Sequence, residues 1–246
     1  MPAVTRSVAI LRLLGKSAEP LGVKAIAQAL GIVTSTCLHI LRVLVDEDLV
    51  AVDANKRYRL GTGMLALARS VIESNTFVSA VQPALDRLSR RWSVTAIGVE
   101  ISGLDHMVVL ALAHSNMPFR LHVDVGSRFP ALLSATGRIV AAYSDRPWSE
   151  IERRFRSLRW QEAPDIEVWG KELATVRKKG YSIDRGTYIS GVTVLAVPVF
   201  NTRKEVTHTL VAAGVAEQLD NARRAALVAD MRVEADRVAA ILFAKA

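Results

Sequence analysis

The chain holds a single cysteine, Cys37, among 246 residues. An internal disulfide is thereby excluded, and a reducing cytoplasm is the expected compartment. Any apolar run of 18 residues is lacking, and so is an N-terminal signal pattern; neither a membrane span nor secretion is expected. HxH, HExxH and CxxC spacings are missing, and His106, His114, His122 and His208 are scattered through strand-like segments. Metal ligands converge at such spacings, so no metal and no cofactor are expected. Cys37 and His39 stand two positions apart on a helical pattern and face different sides, which argues against a nucleophile–base pair. Internal repeats and low-complexity segments are absent too.

Half of the residues are hydrophobic and 23% are charged, enough to bury a sizeable core. The length allows one large domain or two ordinary ones. The net charge is +8, but residues 1–75 hold nine Lys/Arg and six Asp/Glu, a net of +3. Bulk charge therefore says little about nucleic acid, and the placement of cations decides. The Arg153, Arg154, Arg156 and Arg159 cluster reads as a solvated helix face, with an anion patch as the alternative. Trp148, Trp160 and Trp169 read as packing or interface residues, with pocket lining as the alternative.

The richest stretch is GVKAIAQALGIVTSTCLHILRVLVDEDLV, residues 22–50. Val23, Ile26, Ala27 and Leu30 recur at helical spacing and leave Lys24 and Gln28 outward. Gly31 suits a left-handed helix end. Thr34, Ser35 and Thr36 offer hydroxyl caps for a second helix. In that helix Cys37, Leu38, Ile40, Leu41, Leu44 and Val45 make a buried stripe, while Ser35, His39, Arg42 and Asp46 share one polar face. A recognition helix needs such a face, with donors able to reach base edges. By itself the stretch reads better as an ordinary amphipathic helix pair.

The segment after Val50 favours DNA. Asp53, Ala54 and Asn55 give a turn, and Lys56, Arg57 and Arg59 flank Tyr58 on a short strand. A basic hairpin beside a recognition helix is how a winged domain grips phosphates. The run Gly61-Thr62-Gly63-Met64-Leu65-Ala66 fits a loose dinucleotide pattern. The preceding strand is basic rather than buried, however, and helix simply continues where a second parallel strand is required.

Elsewhere the patterns predict a first helix over about 4–15 with Val8, Leu11 and Leu14 facing a core. A helix over 64–75 carries Met64, Leu65, Ala68 and Ile72 on one stripe, and a boundary falls at Asn75 and Thr76. Beyond it come a helix near 78–92 and strands near 94–102, 106–113 and 118–125. Helices follow from Ala135 and over 148–157 and 165–179. Strands return at 181–187, 192–200 and 206–214, and a helix over 218–244 ends the series. That order indicates an α+β domain around one antiparallel sheet.

Three segments, in this order, resemble the IclR family of bacterial transcriptional regulators: PLGVKAIAQALGIVTSTCLHILRVLVDEDLV with KRYRLG, then FRLHVDVGSRFPALLSATGRIVAAY, then GYSIDRGTYISGVTVLAVPVFNTRKEV. The resemblance implies an α+β chain with a winged helix-turn-helix over 1–62 and a linker helix over 63–76. It further implies a GAF-like effector-binding domain with an antiparallel sheet over 77–246. Such proteins are similar in being effector-responsive, non-enzymatic regulators of catabolic or metabolic operons. They bind palindromic double-stranded operators as homodimers or dimers of dimers, with recognition helices roughly 34 Å apart or a multiple of it. RNA polymerase is a further partner to consider. DNA contacts are expected from Lys24, Thr34, Ser35, Thr36, His39, Arg42, Lys56, Arg57 and Arg59.

The departures from the family pattern matter as well. Thr34 stands where a lysine is common and His39 where an arginine is, which implies an unusual operator. In the effector region Leu132 and Ser134 replace a common His and Thr, Val194 a frequent Cys, and Val211 and Ala213 frequent serines. Asp184 keeps an acidic position, but the acid usual soon after it is lost around Gly186 and Thr187. A small carboxylate such as pyruvate or glyoxylate needs several convergent donors. An aromatic or acyl effector is therefore expected, held by Ser134, Thr136, the Ala135–Gly137 amides and Asp184. Binding would shift a two-state equilibrium and pass through the 64–75 helix to the recognition helices. The alternative is a small-molecule enzyme or sensor domain fused to a degenerate winged module, and that reading lacks an acid–base pair, nucleophile or metal cluster at usable spacing.

Overall fold

Residues 2–115 and 123–244 are described by the computed structural model, in which the chain separates into two units, 1–75 and 76–246. The first unit runs α1 (Ala3–Lys16), β1 (Leu21–Gly22), α2 (Val23–Leu30), α3 (Thr34–Asp46), β2 (Val50–Val52), β3 (Arg57–Leu60) and α4 (Gly63–Ser74). Its core joins Ile10 and Leu14 of α1 to Ile26 and Ala27 of α2, Cys37, Leu41 and Leu44 of α3, and Tyr58 of β3. Val8 is instead 38% exposed, because the buried side of α1 is the Ile10–Leu14 edge. The strands form an antiparallel β1-β3-β2 sheet.

Gly31 takes φ 62° and ψ 36°, and the amides of Gly31 and Ile32 return to the carbonyls of Gln28 and Ala27. This left-handed stop turns the chain sharply and seats Ile32 against the core. It also sets where α3 begins. Val33, not a hydroxyl residue, occupies the cap position, and α3 has no side-chain cap hydrogen bond. The expected Thr34–Thr36 caps are thus corrected: packing of Ile32 outweighs a preference worth about 1 kcal/mol. At the other end of the unit, a Cβ on Gly61 would sit 2.2 Å, and one on Gly63 2.8 Å, from the Asp48 carbonyl oxygen. Those glycines let two backbone segments meet, which explains the dinucleotide-like spelling without any phosphate.

The second unit runs α5 (Thr76–Trp92), β4 (Thr95–Ser102), β5 (His106–Ala113), β6 (Arg128–Pro130), α6 (Ser134–Tyr143), α7 (Trp148–Arg156) and α8 (Ile166–Lys179). It ends with β7 (Ser182–Arg185), β8 (Val192–Phe200), β9 (Val206–Val215) and α9 (Asn221–Leu242). The six strands form one sheet, ordered β6-β5-β4-β9-β8-β7, with antiparallel pairings throughout. Strand alternation sends Ala96, Leu210 and Ala212 to one face, where Val81, Leu85, Leu227 and Met231 of α5 and α9 cover them. Ile97, Val99, Met107, Val109 and Val211 point to the other face, partly covered by Ala135 and Ile139 of α6 and Val176 of α8. Gly98 permits the close approach of α5, since a Cβ there would meet Val81 and Phe77 at 3.1 and 3.2 Å.

Two expectations change here. Most of the strand expected at 118–125 lies outside the described residues, its described part, 123–125, is not strand, and the edge is formed by β6 instead. The last helix is broken: a 3-10 turn (Ala216–Gln218) precedes α9, whose cap is the Asp220 carboxylate accepting from the Arg223 amide. Among the described residues no single helix is long and apolar enough to cross a membrane.

Candidate functional site

One candidate surface is the outer side of α3 and the β2–β3 hairpin. Thr34, Ser35, His39 and Arg42 are exposed along α3, Thr36 is half-buried, and Lys24 is exposed on α2. In the hairpin Tyr58 is buried in the core, which sends Arg57 and Arg59 together to the outside. The turn is held by Asp53, whose Oδ1 accepts from the amides of Asn55 and Arg57 at 2.9 Å each. Lys56 sits at its tip with φ 58°, a left-handed conformation that suits glycine far better than lysine. All nine residues expected to touch DNA belong to the first unit, and eight of them are exposed.

The other candidate is a cavity of about 230 Å³ on the sheet face opposite α5 and α9. Its floor is Ile97, Val99, Met107 and Val109, extended by Val194, Val211 and Ala213. Ser134 and Thr136 at the start of α6 close one side, and Tyr188 and Ile189 another. Burial pushes the Tyr188 phenol above its ordinary pKa, so it stays protonated as a donor. Ser134 is buried with φ 57°, and its Oγ has no hydrogen-bond partner among the described residues. Ser134 thus lines the hollow with a strained backbone and an unpartnered buried hydroxyl, features that cluster at functional sites. No Lys, Arg, His, Asp or Glu among the described residues lines this cavity. A larger hollow of about 350 Å³ lies along β7 and α8, but the Arg138–Glu172 ion pair and Lys179 line it, and it is far more polar.

Behind the cavity lies a charged network. Arg138, itself buried, donates to Glu172 at 2.8 Å and to the Ser134 carbonyl at 3.2 Å, and its Nη1 is 3.9 Å from Asp184 Oδ2. Asp184, 1% exposed, accepts through Oδ1 from the amide and hydroxyl of Thr187 at 2.9 and 2.7 Å. One ion pair thereby positions two cavity walls: the start of α6, and the 186–191 turn that carries Tyr188.

Both units match family models: "IclR helix-turn-helix domain" over residues 3–54 and "Bacterial transcriptional regulator IclR C-terminal" over residues 69–240. The chain belongs to the IclR family. It is 29% identical over 237 residues to the glycerol operon regulatory protein of Streptomyces griseus, covering 94% of this chain and 92% of that one. An IclR transcriptional regulator from Alicyclobacillus acidocaldarius superimposes with a TM-score of 0.86 at 28% identity, over 98% of this chain and 99% of that one. An IclR homologue from Microbacterium hydrocarbonoxydans, solved with 4-hydroxybenzoate, has the same fold, with a TM-score of 0.81 at 18% identity over 99% of this chain and 100% of its own.

Membership in the IclR family makes the chain a DNA-binding transcriptional regulator with a winged N-terminal and an effector-type C-terminal module, and not an enzyme. Of the effector residues expected from sequence, the structure brings Ser134, Thr136, Val194, Val211 and Ala213 together at the cavity. It places the others elsewhere. Leu132 is buried against Phe155 and Trp169 in a separate cluster. Ala135 is fully buried, with its carbonyl accepting from Ser182 Oγ. The Gly137 amide is spent on the Leu133 carbonyl at 2.8 Å. Asp184 is a structural partner of Arg138 and Thr187 rather than a cavity group. Sequence reasoning missed Ile97, Val99, Met107, Val109 and Tyr188. The period-two alternation of β4 and β5 was the available signal for the first four.

Proposed function

We propose that this IclR-family chain is an effector-controlled regulator of a catabolic or metabolic operon, acting in the cytoplasm on a palindromic operator as a homodimer or a dimer of dimers. The observation that carries the effector part is the 230 Å³ apolar cavity, lined by Ser134, whose buried Oγ has no partner among the described residues. A cavity of about 150 Å³ accommodates benzene, so the extra space suits an aromatic ring or short acyl chain with one polar substituent. A small carboxylate is disfavoured, because no side-chain cation among the described residues is there to meet it. The 4-hydroxybenzoate seen with the Microbacterium homologue has a ring of the favoured size, but its carboxylate would need a partner that the described lining of this cavity does not supply.

Self-association is supported by α4. None of its residues is buried, and Leu65, Leu67, Val71 and Ile72 are 69, 57, 61 and 49% exposed. An exposed apolar helix of this kind calls for a partner, and a second copy brings two recognition helices to two half-sites. Effector binding would move the start of α6 and the Tyr188 turn, biasing a two-state arrangement that the α4–α5 junction passes to the DNA-reading unit.

Titration calorimetry with neutral aromatics such as phenols and benzamides, short neutral acyl compounds, pyruvate and glyoxylate tests the effector assignment. Tight binding is expected only in the first two classes, weakened at least fivefold by Ser134→Ala. Tight binding confined to glyoxylate-type acids would overturn it.

A further inference from the structure

The cap position of α3 is the most exposed apolar point on the surface assigned to DNA. Val33 is 70% exposed, and it stands directly before the exposed Thr34 and Ser35. Its φ of −64° and ψ of 135°, with its carbonyl accepting from the Cys37 amide at 2.9 Å, are those of a helix cap. Ser, Thr, Asp or Asn at that position would accept from the first-turn amides, which valine cannot do. Three hydroxyl residues come directly after it, yet none takes the cap. A solvent-exposed valine there stabilises neither the helix nor the core and leaves its methyl groups free for a partner.

The chemistry of its surroundings names the contact. N-terminal residues of a recognition helix are the ones that meet base edges in the major groove. Only thymine presents an apolar group there, its 5-methyl. We propose that Val33 reads a thymine methyl in each operator half-site, an assignment that rests on the DNA-binding reading above. Val43, 59% exposed on the same helix, lies ten residues further on, roughly 15 Å along the axis, and serves as an internal control.

The test uses the full chain and duplexes selected by it from a random-sequence pool, with each thymine then replaced by deoxyuridine, which lacks only the methyl. Burying one methyl-sized group corresponds to about a fourfold change in affinity. One thymine per half-site is therefore expected to show about a fourfold loss. Val33→Ala should abolish that sensitivity, whereas Val33→Ile and Val43→Ala should keep it. Val33→Ser should also abolish it while raising the melting temperature of the first unit, a separation that a purely structural valine would not give. A preferred sequence indifferent to every deoxyuridine, or sensitivity retained in Val33→Ala, overturns the assignment and leaves the regulator reading standing. Failure to select any preferred sequence defeats both.

Discussion

Lys56→Gly at the wing tip separates folding from DNA binding, because the two are expected to move in opposite directions. Lys56 has φ 58°. For a residue with a Cβ that conformation costs roughly 1–2 kcal/mol, whereas glycine in its place costs about 0.5–1 kcal/mol of extra chain entropy. The net gain is about 0.5–1 kcal/mol, or roughly 2–8 °C for a unit of 75 residues. If the ammonium contacts one phosphate, losing it lowers the slope of log K against log salt by about 0.9 per wing. At 0.15 M salt the same relation gives a loss of about fivefold per wing and about thirtyfold for a dimer. Calorimetric melting, together with fluorescence anisotropy titrations from 0.05 to 0.3 M salt, reads both quantities. An unchanged salt slope would refute the phosphate contact, and a lower melting temperature would refute the account of the turn.

Gly137→Ala would force a Cβ to within 2.0 Å of the Leu132 carbonyl carbon, so α6 must shift. A loss of roughly 2 kcal/mol or more and weaker effector binding are expected, read by thermal melting and calorimetry. Arg138→Met leaves the buried Asp184 without its cation; about 3–5 kcal/mol of stability should be lost, and Arg138→Met/Asp184→Asn should recover part of it. His208, stacked on Phe77 with ring centroids 4.0 Å apart, has its pKa lowered by burial to about 4. Its unfolded value is near 6.5, so the unfolded chain binds more protons between those values and stability falls as pH drops through that window. Denaturant melts of His208→Phe from pH 7 to 4 should show a flatter decline.

The helices and strands were largely legible because amphipathic periodicity is local. The 106–113 and 192–200 segments match β5 and β8 residue for residue. The cap of α3 was not, since it is set by the seating of Ile32 after the Gly31 turn rather than by the propensities of Thr34 to Thr36. In the effector module, alternation along β4 and β5 shows which residues share a face, but not which face a helix covers and which stays hollow. Asp184 illustrates a further limit. Its partner Arg138 is 46 positions away, and only folding reveals that they neutralise each other behind the cavity instead of lining it. Ser134 could be named from the family resemblance, whereas its left-handed backbone and unpartnered hydroxyl could not.

The most direct measurement is an anisotropy titration of the full chain into the DNA upstream of its own gene and into a scrambled duplex, at 0.15 M salt, with and without a saturating neutral aromatic compound such as a substituted phenol. The account predicts a preference of about a thousandfold or more for the upstream DNA and a shift of about fivefold or more when the aromatic compound is present. Equal binding to both duplexes, or a response to glyoxylate and not to any aromatic or acyl compound, would contradict it.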